Sequence, residues 1–314
     1  MPILELRRNH YFSAFVFVLF TKFIFHFYFI ERRRIALEIL EENNGIRLTG
    51  LPHLNPAHTF LCGQAFRWNE TESGIWTAVV QNTCARLQQL GPEEFFFFDT
   101  DRRRFAGFWV PYLDLTADYT AILSRLSEDP TLRQAIAARP GIRILRQDPW
   151  ETLLSFILSA NNNIPRIRGI VDRLCRLLGT ELAPGCYTIP APETLARCTV
   201  EDLSPIRSGY RAKYLIDAAQ KVSSGEVRLS SCYTLPLPDA ETELRKVSGV
   251  GKKVAQCVLL YGFGRMDAFP VDTWVRRVMA ELYPNGLPPC TRGIEGIAQQ
   301  YLFDWMRRKG NAQR

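Results

Sequence analysis

At 314 residues the chain is long enough for two domains with their own hydrophobic cores or for one large one, so nothing in its length demands disulfides or metal for stability. Its eight cysteines include no C-x-x-C pair and no zinc-finger or iron–sulfur spacing, so they read as reduced intracellular thiols, with no metal and no cofactor expected. Of the net charge of +7, residues Arg7, Arg8, Lys22, Arg32, Arg33 and Arg34 against Glu5 and Glu31 hold +4, leaving +3 for the remainder and excluding bulk charge as an argument for nucleic acid.

Residues 11–30, YFSAFVFVLFTKFIFHFYFI, have the length of a bilayer span, about 20 apolar residues. Lys22 and His26 interrupt the run, and a charge near a bilayer centre costs roughly 2.5–3.5 kcal/mol. Basic flanks on both sides fix no orientation, and no small-x-small site marks a cleaved signal. Residues 1–40 are expected to be an apolar, basic extension outside the catalytic fold, on an intracellular protein of the cytoplasm or nucleoid; membrane anchoring is the minority reading.

Residues 41–115 are expected to form an antiparallel sheet domain of about five strands. The β-rich stretches are IRLTGL, TFLCGQAFRW, GIWTAVVQ, CARLQQL and EEFFFF, separated by Asn, Glu, Ser and Gly. Residues 116–310 turn helical. ADYTAILSRL, PTLRQAIAAR, WETLLSFILSA, IPRIRGIVDRLCRLLG, PETLARC, YRAKYLIDAAQKV, DAETELRKV, KKVAQCVLLYGF, DTWVRRVMAELY and GIEGIAQQYLFDWMRR carry apolar residues near i, i+3, i+4 and i+7, punctuated by Pro and Gly. The fold class is α+β: an N-terminal antiparallel sheet followed by a larger all-helical domain.

Within the helical part, LRKVSGVGKKVAQC at 244–257 runs one amphipathic helix into Gly249-Val250-Gly251 and starts another at once, a helix-hairpin-helix over 240–263. The glycines permit a turn too tight for side chains, and the new helix leaves backbone N–H groups free to grip a phosphate. A G-x-G between helices is also a common plain connection. Lys253 and Cys257, four residues apart, share one helical face, where the thiol and its apolar neighbours can strip the amine of water and make it a nucleophile. Asp272, in the proline-stiffened FPVDTW loop, can stabilise positive charge developing on a sugar.

With Gly249-Val250-Gly251, Lys253, Cys257 and Pro270-Val271-Asp272 in place, the chain resembles the 8-oxoguanine DNA glycosylase and apurinic-site lyase family of the helix-hairpin-helix superfamily. CGQAFRW at 62–68, LRQDPWETLLSFILSANNNIPRI at 145–167, GYRAKY at 209–214 and AQQYLF at 298–303 match in the family's order. The resemblance implies a TATA-binding-protein-like sheet domain, catalytic Lys253 and Asp272, and a flipped base held between Cys257 and Phe303. It implies that Gln299 bonds the Watson–Crick edge and that the Gly63 carbonyl accepts from N7, protonated only in the oxidised base. It implies that Asn161, Arg166 and Arg211 hold the estranged cytosine, with Tyr210 as wedge. The implied partner is duplex DNA with 8-oxoguanine opposite cytosine, bound by a monomer. Trp274 departs from the family, whose familiar eukaryotic members carry histidine there; an indole donates a hydrogen bond but carries no charge. The rival readings are an alkylated-base glycosylase that uses water, against which Lys253 argues, and a non-catalytic damage-binding module, which leaves Lys253, Cys257 and Asp272 unexplained.

Overall fold

The computed structural model describes residues 37–312; the apolar run at 11–30 lies outside the described residues. A six-stranded sheet holds β1 (Glu38–Glu42), β2 (Gly45–Thr49), β3 (Asn69–Glu70), β4 (Ile75–Val80), β5 (Thr83–Gly91) and β6 (Glu94–Phe98) in the order β1-β2-β6-β5-β4-β3. From β2 outward through β3 every pairing is antiparallel, with Ile46 opposite Phe97 and Ala78 opposite Ala85. Alternation decides which face is buried: Ile46, Leu48, Leu87, Phe95 and Phe97 are fully enclosed, whereas Phe96 and Phe98 turn to the other face and meet edge-on at 4.8 Å.

One expected strand is not a strand. Within TFLCGQAFRW, the first residues belong to α1 (Pro56–Phe60), and the rest forms an irregular loop. Asn55 accepts from the His58 N–H and Pro56 sits at the first helical position, so a cap and a preset φ start a helix where apolar alternation suggested extension. The helical part begins earlier than residue 116, with short turns at Arg102–Arg104, Phe105–Trp109 and Val110–Tyr112 that lay Phe105 and Trp109 against Phe97 at 5.0 and 4.8 Å.

The longer helices are α2 (Tyr119–Leu126), α3 (Pro130–Ala138), α4 (Pro149–Leu158), α5 (Ile164–Leu178), α6 (Ala212–Ser223), α7 (Leu237–Leu244), α8 (Lys252–Phe263), α9 (Thr273–Leu282) and α10 (Glu295–Ala312). Asp118, Asp129, Asp148, Asn163 and Asp272 each accept a backbone N–H at the start of α2, α3, α4, α5 and α9. A small hairpin that periodicity does not reveal, β7 (Glu181–Ala183) with β8 (Cys186–Tyr187), follows α5. At the centre α8 and α4 pack closely: a Cβ on Gly262 would lie 3.1 Å from the Pro149 backbone, and every residue from Val254 to Phe263 is buried. Only the N-terminal turn of α8 emerges from the core. That turn carries Lys253.

Candidate active site

Gly249 and Gly251 shape the entry to α8. Gly249 takes φ +81°, and a Cβ there would sit 2.5 Å from the Tyr214 ring, so no other residue fits without displacing that ring. Val250 is buried, while Gly251 and Lys252 are exposed and Gly251 caps the helix without a side-chain bond. The first backbone N–H groups of α8 thus open towards solvent. Lys252 points outward, and Lys253 is half-buried.

The Lys253 amine donates to Ser159 Oγ at 3.2 Å and lies 5.3 Å from the centre of the Phe156 ring. Phe156 is itself stacked on Tyr261 at 5.3 Å and meets Phe66 edge-on at 5.6 Å, a packed aromatic floor beneath the amine. On the same face of α8 the Cys257 thiol is enclosed, and burial pushes its pKa up to about 11. The Lys253 charge opposes that rise, the Asp272 carboxylate adds to it, and a hydrogen bond with Lys253 lowers it again. Both charges therefore act on one sulfur, which remains a neutral thiol near neutral pH. Asp272 is held by its own cap: its carboxylate accepts from the Val275 N–H at 2.8 Å. The aspartate thus lies at the N-terminal, positive end of α9.

Gly63 and Phe303 meet where the loop after α1 reaches the last helix. Gly63 has φ +94°, and a Cβ there would lie 3.0 Å from Ile164 Cδ1 and 3.4 Å from Phe303 Cε1, so the glycine backbone abuts the Phe303 ring. Gln64 holds this loop. Its amide donates to the Thr59 and Arg143 carbonyls at 2.9 and 2.8 Å, its side-chain oxygen accepts from Leu145 N–H at 2.9 Å, and its carbonyl accepts from Gln147 at 2.7 Å. Gln299 is buried and donates to the Pro270 carbonyl at 3.1 Å, while the Tyr261 hydroxyl beside it gives its one hydrogen to Gln300 at 2.5 Å. The Arg307 guanidinium lies 5.7 Å from the Phe303 ring centre.

A second cluster surrounds the asparagine run. Asn161 adopts φ +48° and is exposed, Arg166 is exposed at the start of α5, and Tyr210 is 52% exposed, its hydroxyl 3.4 Å from the Ala160 carbonyl. Arg211 behaves differently from its neighbours. It is only 3% exposed and donates to the carbonyls of Ala160, Asn161 and Ser208 at 2.5–3.1 Å, with Tyr210 stacked 4.5 Å from its guanidinium. Its donors are committed to the protein, so in this structure it shapes the loop that presents Asn161 and Tyr210. Trp274, at the departure from the family pattern, packs on the last helix: a Cβ on Gly310 would lie 2.3 Å from the indole. Among the described residues no group of three or more His, Cys, Asp or Glu side chains could hold a metal ion.

Ser159 and Phe156 are site residues that sequence reasoning missed, as are Gln64 and Tyr261. The only signal for Ser159 was its place two residues before Asn161; its approach to Lys253 spans 94 positions and is set by how α4 meets α8.

Residues 46–153 match the family described as 8-oxoguanine DNA glycosylase, N-terminal domain, and residues 154–289 match the HhH-GPD superfamily of base excision DNA repair proteins. A probable N-glycosylase/DNA lyase of Methanothermobacter thermautotrophicus is 32% identical over 216 residues, 58% of this chain and 69% of the relative. The chain belongs to the 8-oxoguanine DNA glycosylase family. An N-glycosylase/DNA lyase of Saccharomyces cerevisiae is 38% identical over 158 residues, 46% of this chain, and the match spans 42% of that relative's length. The structure of the Clostridium acetobutylicum 8-oxoguanine glycosylase/lyase, in complex with double-stranded DNA containing cytosine opposite 8-oxoguanine, superimposes with a TM-score of 0.81 at 32% identity, covering 88% of this chain and all of that one. For this 8-oxoguanine DNA glycosylase family member, the antiparallel sheet and the larger helical part are those of its family. Among the described residues no helix is long and apolar enough to cross a membrane.

Proposed function

We propose that this chain excises 8-oxoguanine from duplex DNA and then cleaves the strand, with Lys253 as nucleophile. The observation that carries the reading is the half-buried amine at the mouth of α8, fixed between Ser159 and the Phe156 ring, with its charge and that of Asp272 both acting on the Cys257 thiol. The amine attacks the sugar C1′ as the glycosidic bond breaks. The bond's electron pair leaves with the base, which takes up a proton. Asp272 stabilises the cationic sugar of the transition state from its fixed position at the start of α9. The amine nitrogen, now bonded to C1′, loses a proton as the C1′–O4′ bond breaks and O4′ takes one up, which opens the sugar to a Schiff base. This acidifies the C2′ proton, and its removal expels the 3′ phosphate by β-elimination.

In this reading the flipped base lies between Phe303 and Cys257, with the Gly63 carbonyl accepting from N7. The close approach of Gly63 to Phe303 supports the shared pocket, and the missing side chain at φ +94° leaves its backbone accessible. Gln299 reads the Watson–Crick edge by exchanging its internal partners for the base. The backbone of Gly249, Val250 and Gly251 grips a phosphate, while Asn161 and Arg166 meet the cytosine and Tyr210 fills the gap. Arg211 contributes by holding that loop.

Borohydride added during turnover on an 8-oxoguanine·cytosine duplex is expected to trap a covalent protein–DNA adduct on Lys253. A Lys253→Gln variant that still traps or still excises the base overturns the assignment. Lys252→Gln is the neighbouring control and retains both.

A further inference from the structure

The Lys253 amine has a partner that its own helix does not supply. Nζ donates to Ser159 Oγ at 3.2 Å, and Ser159 Oγ donates in turn to the Phe156 carbonyl at 2.7 Å. Because the hydroxyl hydrogen is committed to that carbonyl, the oxygen lone pairs face the amine, which fixes Ser159 as an acceptor. Phe156 adds its ring face at 5.3 Å from Nζ, and that ring is immobilised between Phe66 and Tyr261. The C-terminal end of α4 thus offers the amine one acceptor and one aromatic face.

We propose that Ser159 is a positioning residue for Lys253, holding Nζ by one hydrogen bond so that the lone pair freed on deprotonation points away from the hydroxyl and towards the sugar. The inference rests on the reading of Lys253 as nucleophile. A lysine side chain has four rotatable bonds and loses reaction rate to every rotamer that misplaces its nitrogen. As ammonium, the group donates one hydrogen to Ser159; after losing a proton to solvent it keeps that bond, leaving its lone pair on another tetrahedral corner. The Cys257 thiol on its own helix feels the charges of both Lys253 and Asp272, the latter at the start of α9, while the end of α4 presents Ser159 and the Phe156 ring.

The test is single-turnover excision by the full chain and by Ser159→Ala and Ser159→Thr, with lesion-duplex affinity and melting temperature measured alongside. Ser159→Ala is expected to bind the duplex and melt as the parent does, yet to excise about tenfold more slowly, as misplacement of a reacting group costs. Ser159→Thr keeps the hydroxyl and restores the rate. An alanine variant with the parent rate overturns the proposal, as does a threonine variant as slow as alanine. Borohydride trapping separates this from the parent reading: slowed trapping that still maps to Lys253 supports Ser159 as positioner, whereas an unsubstituted chain that forms no adduct removes the nucleophile itself.

Discussion

Asp272 has two jobs that one pair of substitutions can separate. Its carboxylate caps α9 by accepting the Val275 N–H at 2.8 Å, and the proposed chemistry uses the same charge to stabilise a cationic sugar. Asparagine caps helices about as well as aspartate, so Asp272→Asn keeps the cap and loses only the interaction of a charge with the helix end, about 0.3–1 kcal/mol. Asp272→Ala loses the cap as well, about 1 kcal/mol more. Against a folding free energy of about 5–15 kcal/mol, neither change empties the native state, so any large fall in rate cannot be unfolding. Withdrawing a preorganised charge from a transition state costs about 10²- to 10³-fold, or roughly 3–4 kcal/mol. The assay pairs single-turnover excision on an 8-oxoguanine·cytosine duplex with urea unfolding and duplex binding. Both variants should bind and fold yet lose at least about 10²-fold in excision. If Asp272→Asn excises within a few-fold of the parent while Asp272→Ala is impaired in proportion to its stability, the residue is a helix cap and the catalytic argument fails.

Two further outcomes follow from groups buried in the structure. Arg211→Ala removes bonds to the Ala160, Asn161 and Ser208 carbonyls, so it should lower stability by about 2–3 kcal/mol and slow excision equally opposite all four bases. Excision relaxed selectively opposite bases other than cytosine would instead make Arg211 a direct reader. Burial raises the thiols of Cys257 and Cys232 to about 11 and those of Cys62 and Cys175 to about 12, from an unfolded value near 9. A raised acid contributes stability that is complete below its unfolded pKa and is lost as pH rises through the folded one. Urea midpoints should therefore hold up to about pH 9 and fall between about 9 and 12; midpoints that stay flat across that range would contradict the buried thiols.

Much of this could be read from residue order because local rules fixed it. The β-rich stretch EEFFFF contains strand β6, and the apolar spacing at i, i+3, i+4 and i+7 placed the longer helices. Spacing alone set Lys253 and Cys257 on one face. The failures are equally local in origin. The β-rich composition of TFLCGQAFRW hid a helix that Asn55 and Pro56 start, and β7 and β8 are too short for a period to register. Ser159 and the Arg211 clamp depend on where distant backbone comes to rest. Arg211 meets the Ala160 and Asn161 carbonyls at a turn where Asn161 takes φ +48°, 50 positions away in the chain. Motif matching gave Arg211 a base to hold; its bonds to the loop carbonyls are visible only once the chain is folded.

The Gln299 carboxamide donates to the Pro270 carbonyl, two residues ahead of Asp272. An amide has a fixed number of hydrogens, so in the proposed reading a purine edge that recruits Gln299 competes with this tether. On that reading selectivity is a contest between two sets of bonds, and a base that wins it slackens the turn that carries the carboxylate. Sensing and cutting then share a strut.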